Sequence, residues 1–183
     1  MAVEAYFAEV AGVLGRVDAA AVERLIDDIR RARDAGGMIY TLGNGGSAAT
    51  ASHLALDLAK NTRRPDRANL RVFALTDNAG LLTAWANDAH YEEVFSAQLD
   101  AVVRPDDLVV AISASGNSGN VLAAVRVARA AGARTFGVTG YEGGRLVREA
   151  DDCVVVPSEN MQAIEDAHMA IVHAVMCALR DVG

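Results

Sequence analysis

The chain holds only two cysteines and three prolines among its 183 residues, and 17 basic residues stand against 24 acidic ones. Each scarcity excludes something. Cys153 and Cys177 fit no metal-ligand spacing and read as reduced core residues rather than a disulfide. Few prolines beside 52% apolar residues exclude a disordered chain. A formal net charge of −7 argues against nucleic acid as the main partner. It also means that a bound anion must be held by local dipoles and hydroxyls, since a basic surface is lacking. No run approaches the roughly 20 apolar residues of a membrane span. The opening Met1-Ala2-Val3-Glu4-Ala5-Tyr6 lacks the basic patch and apolar stretch of a signal peptide. These absences point to a cytoplasmic protein with neither membrane nor nucleic-acid partner.

What the chain does have is alternation. The spacing predicts helices over 3–14 and 19–35, with Leu14, Val17, Val22, Leu25, Ile26 and Ile29 forming an apolar stripe that Gly36-Gly37 ends. Strands are predicted at 38–42, 70–76, 108–113, 135–139 and 153–157. Helices are predicted at 47–60, 80–86, 91–102, 118–131, 144–149 and 161–180. Short apolar strands separated by helices give an α/β fold with a doubly wound, five-stranded parallel sheet buried on both faces. A single domain is expected over 1–183, with an N-terminal helical segment (1–36) and an α/β core (37–183). Because the first helices precede the sheet instead of wrapping it, part of their apolar surface needs another chain, and a homo-oligomer is expected.

Two loops carry most of the functional signal. Gly43-Asn44-Gly45-Gly46-Ser47 follows the first strand, and Ser113-Ala114-Ser115-Gly116-Asn117-Ser118 follows the third. Each opens a helix, and a helix N-terminus offers unpaired N–H groups and a positive partial charge. Gly43-x-Gly45-x-x-Ala48 satisfies a loose dinucleotide fingerprint, but Asp77 lies about 30 residues on, too far for the acidic residue expected about 20 positions later. A dinucleotide fold also has no use for serines crowded at a later turn, whereas hydroxyls with N–H groups suit a monophosphate. The plain alternative is that both loops are tight turns with capping serines.

Gly43 to Lys60 (GNGGSAATASHLALDLAK), Ala86-Asn87-Asp88, Ile112 to Asn120 (ISASGNSGN) and the segment from Ile164-Glu165-Asp166-Ala167-His168 to His173 together resemble the sugar isomerase (SIS) domain family. Within it, they are similar to the phosphoheptose isomerases. The resemblance implies a phosphosugar aldose–ketose isomerase converting sedoheptulose 7-phosphate to glycero-manno-heptose 7-phosphate through an enediolate. It also implies a homotetramer whose active sites are shared between subunits. Carried over position by position, it assigns Asn44, Gly45, Gly46 and Ser47 to substrate contacts, Asn87 and Asp88 to sugar hydroxyls, and Ser113, Ala114, Ser115 and Ser118 to the phosphate. His53, Asp57, Glu165 and His173 fall where the family places its zinc ligands and acid/base groups. Asp57 stands where glutamate is usual and Glu165 where glutamine is usual. An isomerase of another phosphosugar and a non-catalytic phosphosugar-binding module are the competing readings.

His53 and Asp57, four residues apart, project from one helix face. Glu165 and His173, eight apart, lie roughly 80° apart around a helix of 3.6 residues per turn. Geometry alone would favour His168 as the partner of Glu165, and the resemblance selects His173. Two imidazoles and two carboxylates suit tetrahedral zinc, with manganese or iron as further options. For the reaction, Asp57 and His173 are expected as the acid/base pair with Glu165 assisting.

Overall fold

The computed structural model describes residues 2–181. Two helices, α1 (Val3–Leu14) and α2 (Ala19–Asp34), lead into β1 (Met38–Leu42), α3 (Gly46–Lys60), β2 (Arg71–Ala74) and α4 (Ala79–Asp88). A 3₁₀ turn (Tyr91–Glu93) and a short α5 (Ser96–Asp100) precede β3 (Leu108–Ser113) and α6 (Gly119–Ala130). The chain continues through β4 (Arg134–Gly140), α7 (Leu146–Glu149), β5 (Asp152–Val156) and α8 (Met161–Asp181).

All five strands run parallel in the order β2-β1-β3-β4-β5. The wholly buried β3 is central, and β2, with exposed Arg71 and Phe73, is an edge. Alternate residues of each strand feed two cores. Ile39, Leu108, Val110, Phe136 and Val154 pack under α2, α3 and α8, whereas Tyr40, Leu42, Val109 and Ala111 pack under α5, α6 and α7. Chain order reverses between β1 and β3, so the helices that follow these two strands lie on opposite faces. The crevice left between them, outside the carboxyl ends of the strands, is where ligands bind in open α/β sheets. The register sets Ile39 opposite Leu108 and Leu42 opposite Ala111, which brings both glycine- and serine-rich loops to the crevice at one level.

The N-terminal helices divide their work differently from the sequence expectation. Leu25, Ile26, Ile29 and Ala32 of α2 are buried in the sheet core, so α2 does wrap the sheet. Only α1 stands apart, packed on α8 with Val13 buried and Val3 and Phe7 exposed. The helix expected over 91–102 is broken, because Val94 and Phe95 are drawn into the core between the 3₁₀ turn and α5. Helix α4 has no buried residue and leaves Leu81 and Trp85 exposed.

Candidate active site

The first loop turns at Gly45, whose φ of 54° lies in the left-handed region that a side chain rarely adopts. Gly43 is equally constrained: a Cβ there would fall 2.7 Å from Ser47 O and 2.8 Å from Ile112 O. Across the crevice, the carboxamides of Asn44 and Asn120 bond reciprocally. Asn44 Nδ2 donates to Asn120 Oδ1 at 2.8 Å, and Asn120 Nδ2 donates to Asn44 Oδ1 at 2.9 Å. The Tyr91 hydroxyl adds a third bond to Asn44 Oδ1 at 3.0 Å. Asn120 is 2% exposed, so this pair fastens one loop to the helix behind the other. Asn120 was not among the expected site residues, although it closes the ISASGNSGN motif.

In the second loop, Ser113 Oγ and Ser118 Oγ stand 3.2 Å apart and share a hydrogen bond. Ser118 occupies the N-cap of α6, yet its side chain makes no capping bond. Ser47 lies inside α3, whose N-cap is Gly45. Neither serine therefore makes a side-chain capping bond, which weighs against the plain alternative for these loops. Ser115 Oγ accepts from Asn117 N at 3.2 Å, and Gly140 N donates to Ala114 O at 2.8 Å, which fixes the loop's backbone.

Both loops line one cavity of about 280 Å³ with Asn44, Gly45, Gly46, Ser47, Ser113, Ala114, Ser115, Ser118 and Glu165. A wider cleft of about 990 Å³ adjoins it beyond Ser115 and Asn117, where Glu9, Glu142 and Glu159 outnumber Arg16 on its walls and disfavour an anion. Glu165 reaches into the cavity from α8, with its carboxylate over the first residue of α3, where a Cβ on Gly46 would overlap it. The helix end at the first loop is thus already facing a negative group, which leaves the serine loop as the side of the cavity able to take an anion.

Gly46 meets Glu165 at one level of the α3–α8 seam, and His53 meets His173 at another. The pairs are seven residues apart on α3 and eight on α8, so the helices run side by side in the same sense with roughly 11 Å between levels. At the second level His53 Nε2 and His173 Nε2 stand 3.1 Å apart, with the rings edge to face. Asp57 Oδ2 lies 3.3 Å from His53 Nε2. It is buried and has no hydrogen-bond partner, while Oδ1 accepts from Asn61 Nδ2 at 2.8 Å. Two ring nitrogens this close can share a proton or turn both lone pairs to a cation. The unpartnered oxygen beside them makes the second arrangement a good fit, and His53, Asp57 and His173 form a group able to hold a metal ion, their ligand atoms all within 4.8 Å of one another.

Two expected placements are not met within the single chain. Glu165 does not join the metal group and belongs to the cavity one level up. The reason is the spacing already noted: eight residues carry it about two turns along α8 from His173. Asn87 and Asp88 do not line the cavity. They sit at the exposed end of α4, where Asn87 Nδ2 donates to Asp88 Oδ1 at 2.7 Å. His53 also lines a separate depression of about 530 Å³ with Leu56, Phe73 and Asp77, beside the edge strand. His168, the partner that geometry favoured, is fully buried with Nε2 3.1 Å from Thr139 O. Burial pushes its pKa below the ordinary imidazole value, consistent with a packing role.

A SIS domain model matches residues 5–140. A phosphoheptose isomerase from Roseiflexus sp. is 44% identical over 156 residues, covering 85% of this chain and 77% of that protein. Another, from Paramagnetospirillum magneticum, is 42% identical over 167 residues, covering 91% and 86%. The solved structure of a phosphoheptose isomerase from Neisseria gonorrhoeae superposes with a TM-score of 0.91 at 31% identity, covering 98% of this chain and 97% of that one. With five parallel strands, two loops at the crevice and this degree of likeness across most of its length, the chain belongs to the SIS domain family and is similar there to the phosphoheptose isomerases.

Proposed function

We propose that the chain is an aldose–ketose isomerase that interconverts sedoheptulose 7-phosphate and glycero-manno-heptose 7-phosphate. The observation that carries this reading is the α3–α8 seam, whose Gly46–Glu165 level opens on the serine-lined cavity and whose next level holds the histidine–carboxylate group. Ser113, Ser115 and Ser118, with the N–H groups at the start of α6, hold the phosphate. That remote grip supplies binding energy that fixes the reacting end of the sugar. Asn44, Gly45, Gly46, Ser47 and Glu165 meet the sugar hydroxyls from the first loop and from α8.

The reaction moves a proton between adjacent carbons, from the carbon bearing the hydroxyl to the former carbonyl carbon, by way of an enediolate. Asp57 and His173 are assigned as the acid/base pair. Zinc is the ion that two imidazoles and a carboxylate suit best, and bound by His53, Asp57 and His173 it would supply Lewis acidity toward the carbonyl oxygen. Ligation and proton transfer are competing duties of the same atoms, and metal analysis of protein purified without added metal divides them.

The complete site is assigned to a homotetramer. Its support is exposed apolar surface: Leu56 and Phe73 beside His53, Leu81 and Trp85 on α4, and Val3 and Phe7 on α1. A neighbouring subunit docked there would close the His53 depression and bring Asn87 and Asp88 of α4 to a site. A cytoplasmic location is part of the same reading, consistent with two free cysteines and with no described helix long and apolar enough to cross a membrane. Incubation with sedoheptulose 7-phosphate beside five- and six-carbon phosphosugars tests the assignment. Conversion of the heptose alone is the expected result, and inertness toward the heptose would overturn it.

A further inference from the structure

The two oxygens of Asp57 have different surroundings, and one residue is responsible. Asn61 follows the last turn of α3, and its backbone N–H bonds to Asp57 O at 2.8 Å. Its carboxamide turns back to the same residue and donates to Oδ1, also at 2.8 Å. Asn61 therefore holds Asp57 by both carbonyl and carboxylate. The aspartate has only two side-chain torsions, and the second is broad, so without this bond the carboxylate plane would be loosely defined. With Oδ1 engaged, the unpartnered Oδ2 is the oxygen turned toward His53 Nε2, itself 3.1 Å from His173 Nε2. The donor is also neutral. A lysine or arginine would pin the carboxylate while cancelling its charge, whereas an amide pins it and leaves the charge to whatever the imidazoles hold.

We propose that Asn61 is a positioning residue that presents Asp57 to the two imidazoles through one oxygen. This inference rests on reading His53, Asp57 and His173 as the reactive group. Hydrogen-bonding partners one step removed from a metal typically change its affinity by about 10–100-fold, which sets the size of the expected effect.

The test compares wild type with Asn61→Leu, which is close in volume but has no donor, and with Asn61→Gln, which keeps the donor on a longer arm. Zinc affinity is measured by competition with a chromophoric chelator, kcat and KM are measured with sedoheptulose 7-phosphate, and circular dichroism monitors the fold. Asn61→Leu should weaken zinc binding by about 10–100-fold and lower kcat at unchanged KM, with the fold retained. Asn61→Gln should recover part of both. Asn61→Ala carries the same comparison if the leucine variant fails to fold. If wild type takes up no zinc, the metal reading fails by itself, and kcat against KM still decides the role of Asn61. Wild-type zinc affinity and kcat in Asn61→Leu would overturn the proposal. So would equal losses in kcat, KM and helix content in all the variants, which would mark a purely structural cap.

Discussion

Removing the hydroxyls of Ser113 and Ser118 together should cost more than the two single removals combined. In the free protein these hydroxyls bond to each other across 3.2 Å, a neutral bond contributing about 1 kcal/mol net. A phosphate in the cradle takes both, and each bond to the charged oxygens contributes about 2 kcal/mol. Binding therefore gains two strong bonds and forfeits one weak one. Ser118→Ala removes one phosphate bond together with the internal bond that binding would have broken, a net loss of about 1 kcal/mol, or roughly 5-fold in KM. Ser113→Ala should behave alike. The double variant has no internal bond left to forfeit and loses the whole contribution, about 3 kcal/mol or roughly 150-fold, where independent effects would give about 30-fold. The assay is KM for sedoheptulose 7-phosphate, with inorganic phosphate as competitive inhibitor to isolate the anion. Because the same grip fixes the reacting end of the sugar, part of the loss also falls on kcat, and phosphate inhibition carries the decisive ratio. A double variant whose effect equals the product of the singles would refute the shared-bond reasoning, and unchanged phosphate inhibition would remove the serine loop as the cradle.

Two further outcomes are expected. His173→Ala should abolish turnover while leaving the fold and phosphate inhibition close to wild type, because the ring is exposed and its removal opens no core cavity; retained activity would defeat the acid/base assignment. Burial holds the His168 imidazole below its ordinary pKa of 6.5, so on acidification the unfolded ring binds a proton that the folded one resists. Stability from this residue is full above about pH 6.5 and falls by up to about 1.4 kcal/mol per pH unit below it. Urea midpoints on either side of that value should differ less for His168→Gln than for wild type, and an equal difference would show that another group titrates.

The sheet was legible because each of its strands is a short apolar run bounded by helix signals, and both crevice loops announced themselves through glycine and serine. Edges were harder. β2 ends at Ala74 rather than at 76, since an edge strand needs only one partner and its outer side chains carry no burial signal. The stripe on α2 was plain, but a stripe says that a surface is buried and not what covers it; Leu25 and Ile29 found the sheet. In the site, four-residue spacing was enough to pair His53 with Asp57. The meeting of His53 with His173, 120 residues apart, depends on how two helices lie side by side, which periodicity does not encode. Glu165 was expected beside His173 on the strength of the resemblance, and the turns between them separate the two. Asn61 and Asn120 escaped notice because an asparagine at a helix end reads as a cap.

The carboxylate that Glu165 lodges at the mouth of α3 makes the two loops of the crevice unlike. A sugar esterified at one end finds hydroxyl donors for its charged tail and an acceptor for its neutral head. One carrying phosphate at both ends would press a second dianion against a fixed negative oxygen. On the proposed reading, a single acidic side chain would filter visiting sugars by how many phosphates they carry.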